Sequence, residues 1–276
     1  MKIGFDVISD LNLKPNELFG WEGKATSLYC IIAGNISNDL RTIHQTLLHL
    51  SRFYQGVFYT AGSLEYEGAV NIPEHTNELF KICKTIRNVA YLHNHVVIID
   101  GIAIIGTNGW YNLTFDNILL SAEELEIERY EDIGYLGSSI ERLQLHLDVK
   151  KIVIVSHSVP SEELFFGEEP DEIYTIPQLK LSLIKDLEAK VTHWIYGDYD
   201  KTVDTVIDGI DLIIPSNDSI SYEDIVFTGA FIRINYNNDL NKWRKAVNSF
   251  KLRMLMQLVQ RQKQHKEYLC GIFHFQ

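Results

Sequence analysis

The sequence predicts an α/β fold, because apolar strands alternate with an amphipathic helix in its first 61 residues. Residues 28–33 and 57–61 are apolar runs with the length of buried strands. Between them, Ser37 or Asn38 is a suitable N-cap for a helix. The apolar positions of this helix are three or four residues apart, as on one helical face: Leu40, Ile43, Leu47, Leu50 and Tyr54. Each strand ends in glycine and small polar residues, and sites in α/β folds gather at such strand ends.

Further elements follow along the chain. Residues 96–99 and 102–105, separated by Asp100-Gly101, are typical of a two-residue hairpin. Residues 121–147 predict a long acidic helix that is interrupted near Gly134 and Gly137. The other predicted strands are 2–8, 151–155, a short one at Trp194, 202–207, 212–215 and 227–234, and the other predicted helices are 78–89 and 178–190.

The C-terminal part differs from the rest in charge and pattern. Residues 230–276 carry a net charge of +7 within a chain whose total is -12. Residues 239–266 predict the strongest helix of the chain, with apolar residues on two faces, so it needs two surfaces to bury it. We expect this helix to pack on its own domain or on a partner, including a second copy of the chain.

Composition limits the function classes. With 46% hydrophobic and 22% charged residues the chain resembles an ordinary soluble protein, and it has no apolar run of the ~20 residues that a membrane helix needs. The first residues carry Asp6 where a signal peptide is apolar, and the three cysteines form no metal-type pair, so we expect a cytoplasmic protein with reduced thiols. The acidic balance argues against general nucleic-acid binding, which leaves the basic tail as a weaker candidate for it.

Five polar blocks stand at predicted strand ends in a fixed order. They are Asp10-Leu11-Asn12, Gly34-Asn35, Gly62-Ser63-Leu64-Glu65, Ser156-His157-Ser158 and Gly197-Asp198-Tyr199-Asp200. This order resembles the calcineurin-like metallophosphoesterases, whose blocks are D-x-H, G-D, G-N-H-[ED], a lone H and G-H-x-H. Residues 3–13, 31–37 and 94–110 also resemble the family's flanking segments, the last one those of small bacterial and phage members, and the match covers about residues 1–216.

The resemblance implies a four-layer αββα sandwich of two mixed β-sheets, followed by a long C-terminal helix. Residues 1–225 would form the metallophosphoesterase-like domain, and residues 226–276 a strand and a long basic amphipathic helix. In the family, the strand ends hold two divalent metals that clamp a phosphate and activate a hydroxide. A phage origin is a further expectation from this resemblance alone.

Most of the family's metal ligands are replaced in this sequence. Asp10 and His157 match, but they are two of seven expected ligands. Leucine stands where the family has the histidine that protonates the leaving group, and leucine can neither donate nor accept a proton. The five replaced ligand positions are Asn12, Asn35, Ser63, Asp198 and Asp200, and the leucine at the position of the proton donor is Leu64.

The replacements predict a catalytically inactive member of the family that acts through binding, either to another protein or to itself through residues 239–266. In this interpretation the chain needs no cofactor and its partner is unknown. An alternative is a rebuilt, carboxylate-rich site for Mn or Mg in an active phosphoesterase, made of Asp10, His157, Asp198 and Asp200, with Asp6 or Glu65 as further candidates. Engineered replacement could account for Asn12 and Asn35, although it does not easily explain Leu64, Asp198 and Asp200 together.

Overall fold

The structure is a computed structural model that describes residues 4–109, 122–160, 190–197, 205–207, 209–213, 220–221 and 231–232. All of these residues lie within one compact unit, Met1–Arg233. Its strands are β1 (Phe5–Ile8), β2 (Tyr29–Ala33), β3 (Gly56–Thr60), β4 (Val89–Tyr91), β5 (His95–Ile99), β6 (Ile102–Gly106), β7 (Lys151–Val155), β8 (Val191–Ile195), β9 (Thr205–Ile207), β10 (Ile210–Ile213), β11 (Ile220–Ser221) and β12 (Phe231–Ile232). Its helices are α1 (Leu40–Leu50), α2 (Ile72–Lys84) and α3 (Ala122–Gln144), with a short 3-10 turn at Leu64–Tyr66.

The strands form two mixed sheets. The first sheet has the order β11-β1-β2-β3-β4, in which β1 to β4 run parallel and β11 is antiparallel to β1. The second has the order β12-β5-β6-β7-β8-β10-β9, in which β6, β7, β8 and β10 are parallel to one another and β5, β9 and β12 run antiparallel to their neighbours. Because parallel strands expose their carboxyl ends on one edge, each sheet offers a single edge that collects loops.

Successive side chains of a strand point to opposite faces of its sheet, and the buried residues therefore form three separate core layers. Phe5 and Val7 of β1 pack between the sheets, against Ile104 and Val153 of the second sheet. The opposite face of the first sheet packs on α1 and α2, and the opposite face of the second sheet packs on α3. The order of layers is therefore helix, sheet, sheet, helix, which confirms the predicted αββα sandwich.

The predicted helical face of α1 is confirmed, whereas its N-cap prediction is wrong. Ile43, Leu47 and Leu50 are fully buried against the first sheet. The N-cap is Asp39, whose side chain accepts a hydrogen bond from the backbone N–H of Thr42 at 2.9 Å. Its neighbour Ser37 is buried and donates instead to the carbonyl oxygen of Leu13.

Two other helix predictions need correction. The helix predicted at 78–89 begins earlier, because Asn71 caps the N–H of Glu74 and Pro73 occupies the first turn. It ends at Lys84, so that Val89–Tyr91 is free to form β4, which the sequence analysis missed. Helix α3 continues through Gly134 and Gly137 without the predicted interruption. Packing of its buried apolar residues on the second sheet outweighs the cost of about 1 kcal/mol per helical glycine.

The predicted hairpin is confirmed. Strands β5 and β6 pair antiparallel, and Asp100 (φ 49°) and Gly101 (φ 86°) both have the positive φ that a tight two-residue turn requires. Of the strands predicted at 202–207 and 212–215, the described parts are β9, which lies at the edge of the second sheet, and β10, which lies between β8 and β9. The helix predicted at 239–266, most of the helix at 178–190 and the boundary at residue 226 lie outside the described residues and stay predictions. Within the described ranges, no helix is long and apolar enough to cross a membrane.

Candidate functional site

The ends of β1, β2, β3, β7 and β8 meet at the edge where the two sheets face each other. Asp10 follows β1 and Asn35 follows β2, and the Asn35 Nδ2 donates a hydrogen bond to the Asp10 Oδ1 at 3.1 Å. His157 follows β7, and its Nδ1 lies 2.7 Å from the carbonyl oxygen of Ala33 at the end of β2. Gly197 follows β8 and donates its N–H to the carbonyl oxygen of His157 at 3.0 Å. The structure therefore brings together Asp10, Asn35 and His157, which the sequence placed in separate blocks.

The Asn35 side chain occupies the centre of this cluster. Its Oδ1 accepts the backbone N–H of Leu64 at 2.9 Å and lies 3.5 Å from the hydroxyl of Ser63. A backbone N–H can only donate, so the atom that faces it must be the amide oxygen. The amide nitrogen is consequently the atom that faces Asp10. Asn35 thus joins the ends of β1 and β3 through an uncharged side chain that is 7% exposed.

The backbone explains part of the residue choice at the site. Asp10 (φ 52°), Asn12 (φ 47°) and Asn35 (φ 56°) all lie in the left-handed region, which Asp and Asn tolerate better than most other residues. Asn12 is exposed, and its side chain donates to the carbonyl oxygen of Asp10 at 3.0 Å. Its side chain therefore supports the local backbone turn, while its N–H donates to the carbonyl oxygen of Asn35 at 2.9 Å.

The His157 ring is held in one orientation. It is 2% exposed, and its Nδ1 faces a carbonyl oxygen, which can only accept a hydrogen bond. The Nδ1 must therefore carry the proton in the neutral ring, which leaves the lone pair on Nε2. A hydrogen bond of this kind often fixes the orientation and tautomer of metal-ligating histidines.

Glycines surround the His157 ring because no side chain fits there. A Cβ atom on Gly62 would lie 2.6 Å from the His157 Cδ2 and 2.5 Å from the Asn35 Oδ1. A Cβ atom on Gly197 would lie 2.8 Å from the His157 Nδ1 and 2.9 Å from the Asp10 Oδ2. Gly34, Gly62 and Gly197 are the first residues of three of the five sequence blocks. The sequence analysis used them as motif letters and missed their role as the walls of the cluster.

Glu65 lies beneath the cluster as a buried carboxylate that is 0% exposed. Its two oxygens accept the backbone N–H groups of Asn35 at 3.0 Å, Ile36 at 2.6 Å and Gly62 at 2.8 Å. Burial raises the pKa of Glu65, while these hydrogen bonds and the nearby His157 oppose the rise. Glu65 was a candidate for a further metal ligand. The structure corrects this, because both of its carboxylate oxygens accept backbone N–H groups and thereby join the ends of β2 and β3.

Asp6 lies apart from the strand ends. It is buried on the helix-facing side of β1, where it accepts hydrogen bonds from the Thr26 N–H at 2.8 Å and the Tyr54 hydroxyl at 2.7 Å. The Trp21 Nε1 in turn donates to the same Tyr54 oxygen at 2.6 Å. Asp6 therefore secures the segment before β2, and its suggested place in a rebuilt site is wrong.

The described residues do not fit a dinuclear metal site. Among them, no group of three or more His, Cys, Asp or Glu side chains is arranged to hold a metal ion. At the strand ends, Asp10 and His157 are the family-matched ligands, and Asn35 brings no charge between them. The other two proposed ligands, Asp198 and Asp200, lie outside the described residues.

Other histidines belong to packing arrangements. His93 stacks on Tyr91 with ring centroids 5.9 Å apart, and the neighbouring Asn94 donates to Asp132 at 2.7 Å. His49 accepts the Trp21 N–H at 3.3 Å and packs on Phe53. These contacts give both rings a role in packing.

Comparison with known proteins bears on the fold. No family model matches the chain. An uncharacterized protein of Acanthamoeba polyphaga mimivirus is 22% identical over 244 residues, which are 78% of this chain and 83% of that protein.

The phosphopantetheinyl hydrolase of Mycobacterium tuberculosis superposes with a TM-score of 0.52 at 15% identity, covering 77% of this chain and 88% of the hydrolase. A Staphylococcus aureus protein assigned as a 5'-nucleotidase gives a TM-score of 0.50 at 12% identity, with 90% of this chain matching 58% of that one. Together with the two-sheet sandwich, these similarities show that the chain shares the fold of these two proteins, which is consistent with the metallophosphoesterase-like sandwich that the sequence predicts.

Proposed function

We propose that the chain is a catalytically inactive metallophosphoesterase-like protein that acts through binding. One observation carries the proposal: the Asn35 amide bridges Asp10 and the N–H of Leu64. In the family that the sequence resembles, the position of Asn35 holds the carboxylate shared by two metals. Here a neutral group occupies that position and uses its oxygen and its nitrogen within the protein.

The energetic argument starts from charge. Two divalent cations at one site need carboxylates to offset their mutual repulsion, and Asn35 removes the shared one. Loss of a residue that merely supports a ligand typically lowers metal affinity or activity by about 10- to 100-fold. Loss of several ligands is expected to lower it further. Leu64 would in addition leave the departing group without a proton donor, because its side chain has no ionisable atom.

A second candidate function is a metal-dependent phosphoesterase with a rebuilt site for Mn or Mg. It is favoured by the His157 ring, whose Nδ1 is fixed on the Ala33 carbonyl so that Nε2 keeps a lone pair. Asp10 and His157 would then act with Asp198 and Asp200. The hydrolase names of the two structural relatives agree with this class of reaction, but they describe those proteins.

Hydrolysis of a chromogenic phosphodiester in millimolar Mn²⁺ or Mg²⁺ distinguishes the two candidates. We expect the native chain and Asp10→Ala to show the same background rate. The matched control is Asp148→Ala, which removes an exposed carboxylate after α3. Metal-dependent turnover that Asp10→Ala abolishes and Asp148→Ala preserves would overturn the proposal of inactivity.

For the binding partner we propose a second copy of the chain, through residues 239–266. The proposal is supported by charge, because the segment 230–276 carries +7 within a chain of net charge -12. Light scattering of a chain shortened after residue 238 tests it. We expect the shortened chain to assemble from fewer subunits than the full chain, and an unchanged number of subunits would contradict the proposal.

A further inference from the structure

Asn108 lies where the two sheets meet behind the strand-end cluster. It follows β6, and the preceding Thr107 donates its N–H to the carbonyl oxygen of Val155 at 3.0 Å, which extends the pairing of β6 with β7. Asn108 is 5% exposed, although it lies beyond the end of its strand. A buried asparagine outside regular structure needs partners for both its backbone and its amide groups.

The backbone of Asn108 supports the loop that carries His157. Its carbonyl oxygen accepts the N–H of His157 at 3.2 Å and the N–H of Ser158 at 3.4 Å. The next residue, Gly109, donates its N–H to the Asp132 Oδ2 of α3 at 2.9 Å. The turn at 107–109 is therefore held to both the second sheet and its covering helix.

The side chain of Asn108 reaches the first sheet instead. Its Nδ2 donates to the Tyr66 hydroxyl at 3.1 Å, and its Oδ1 lies 3.3 Å from the hydroxyl of Thr60 at the end of β3. Tyr66 ends the 3-10 turn that begins at Leu64, and its N–H donates to the carbonyl oxygen of Ser63 at 3.1 Å. One residue thus connects the His157 loop with the turn that contains Ser63 and Leu64.

We propose that Asn108 is a positioning residue that sets where the His157 ring lies relative to Asp10 and Asn35. The backbone contact belongs to the second sheet and the amide contacts belong to the first, so the Asn108 side chain links the two sheets beside the hydrogen bond from the Thr60 hydroxyl to the carbonyl oxygen of Thr107 at 3.1 Å. The inference holds whether or not the site is catalytic, because it concerns the placement of the ring.

Asn108→Ala provides the test, because it keeps the backbone carbonyl oxygen that accepts from His157 and removes the side-chain contacts with Tyr66 and Thr60. Imidazole nitrogen signals of ¹⁵N-histidine-labelled protein, recorded at one fixed pH, report the tautomer of each ring. His157→Gln assigns the His157 signal among the ten histidines. In the native chain we expect a His157 ring protonated on Nδ1, and in Asn108→Ala a shifted signal averaged between the two tautomers.

Asn88→Ala is the matched control for lost stability. Asn88 also makes two side-chain hydrogen bonds, to the carbonyl oxygens of Ser51 at 2.9 Å and Tyr54 at 2.8 Å, between the end of α1 and the start of β4. Asn88→Ala is expected to lower stability while leaving the His157 signal unchanged. Asn108→Ala with an unchanged His157 signal would overturn the proposal and leave Asn108 a purely structural residue.

Tyr66→Phe keeps the proposal testable if Asn108→Ala does not fold. It removes the hydroxyl that accepts from the Asn108 amide and leaves Asn108 itself intact. A smaller shift of the His157 signal in the same direction is expected, and an unchanged signal would count against the proposal. Since this readout needs no substrate or metal, its failure is distinguishable from a failure of the proposed inactivity.

Discussion

Glu65→Gln is expected to lower the free energy of unfolding at pH 7 by about 2–4 kcal/mol. Both oxygens of Glu65 accept backbone N–H groups, from Asn35 and Gly62 on Oε2 and from Ile36 on Oε1. Glutamine replaces one oxygen by an NH₂ group, which would face an N–H donor wherever it is placed. At least one buried N–H is then left without an acceptor, and the loops after β2 and β3 lose a connection. Urea-induced unfolding measures the loss.

Glu67→Gln is the control for this substitution. Glu67 stands two residues further on, and its side chain accepts a hydrogen bond from the amide of the exposed Asn38 at 3.0 Å. The same chemical change there is expected to cost no more than about 0.5 kcal/mol, as for most surface substitutions. Equal losses in the two variants would show that the three N–H contacts of Glu65 contribute little to stability.

Asn35→Asp is expected to lower the free energy of unfolding at pH 7 by about 1–3 kcal/mol. The substitution replaces an amide that donates to Asp10 at 3.1 Å by a second carboxylate, and two negative charges would then face each other in a site that is 7% exposed at this residue. Repulsion raises the pKa of one carboxyl in the folded state, so stability should recover as the pH falls and that group takes up a proton. Unfolding curves at several pH values measure both effects.

Asn38→Asp isolates the contribution of the buried site. The Asn38 amide also donates a hydrogen bond to a carboxylate, that of Glu67, but Asn38 is exposed. Water and salt weaken repulsion between exposed charges, so the cost of Asn38→Asp is expected to stay below about 1 kcal/mol. If Asn35→Asp were no more costly than Asn38→Asp, the Asn35 amide would not be the central contact of the cluster.

The helices and strands were predictable where burial of one face gives the sequence a periodic pattern of apolar residues. The face of α1 with Ile43, Leu47 and Leu50 and the Asp100-Gly101 hairpin follow from local sequence, and the structure has both. The continuity of α3 through Gly134 was not predictable in this way, because its stability comes from packing on residues of the second sheet. The αββα order itself came from the resemblance of the five blocks, since local periodicity does not specify which sheet faces which.

The candidate site was predictable in position but not in its internal contacts. The order of the blocks located Asp10, Asn35 and His157 at strand ends that the structure brings together. The hydrogen bonds that decide their chemistry join residues far apart in sequence, such as Asn35 with Leu64 and Asn108 with Tyr66. Nothing in the local sequence of Asn108 indicates such partners, because an asparagine before a glycine is more typical of a turn.

Isothermal titration of the native chain with Mn²⁺ tests most directly whether the strand-end cluster has lost its metals. The bridge from Asp10 through Asn35 to Leu64 predicts no saturable binding up to millimolar Mn²⁺, and the same flat titration for Asp10→Ala. Stoichiometric binding by the native chain that is lost in both Asp10→Ala and His157→Ala would contradict this account and favour the rebuilt site.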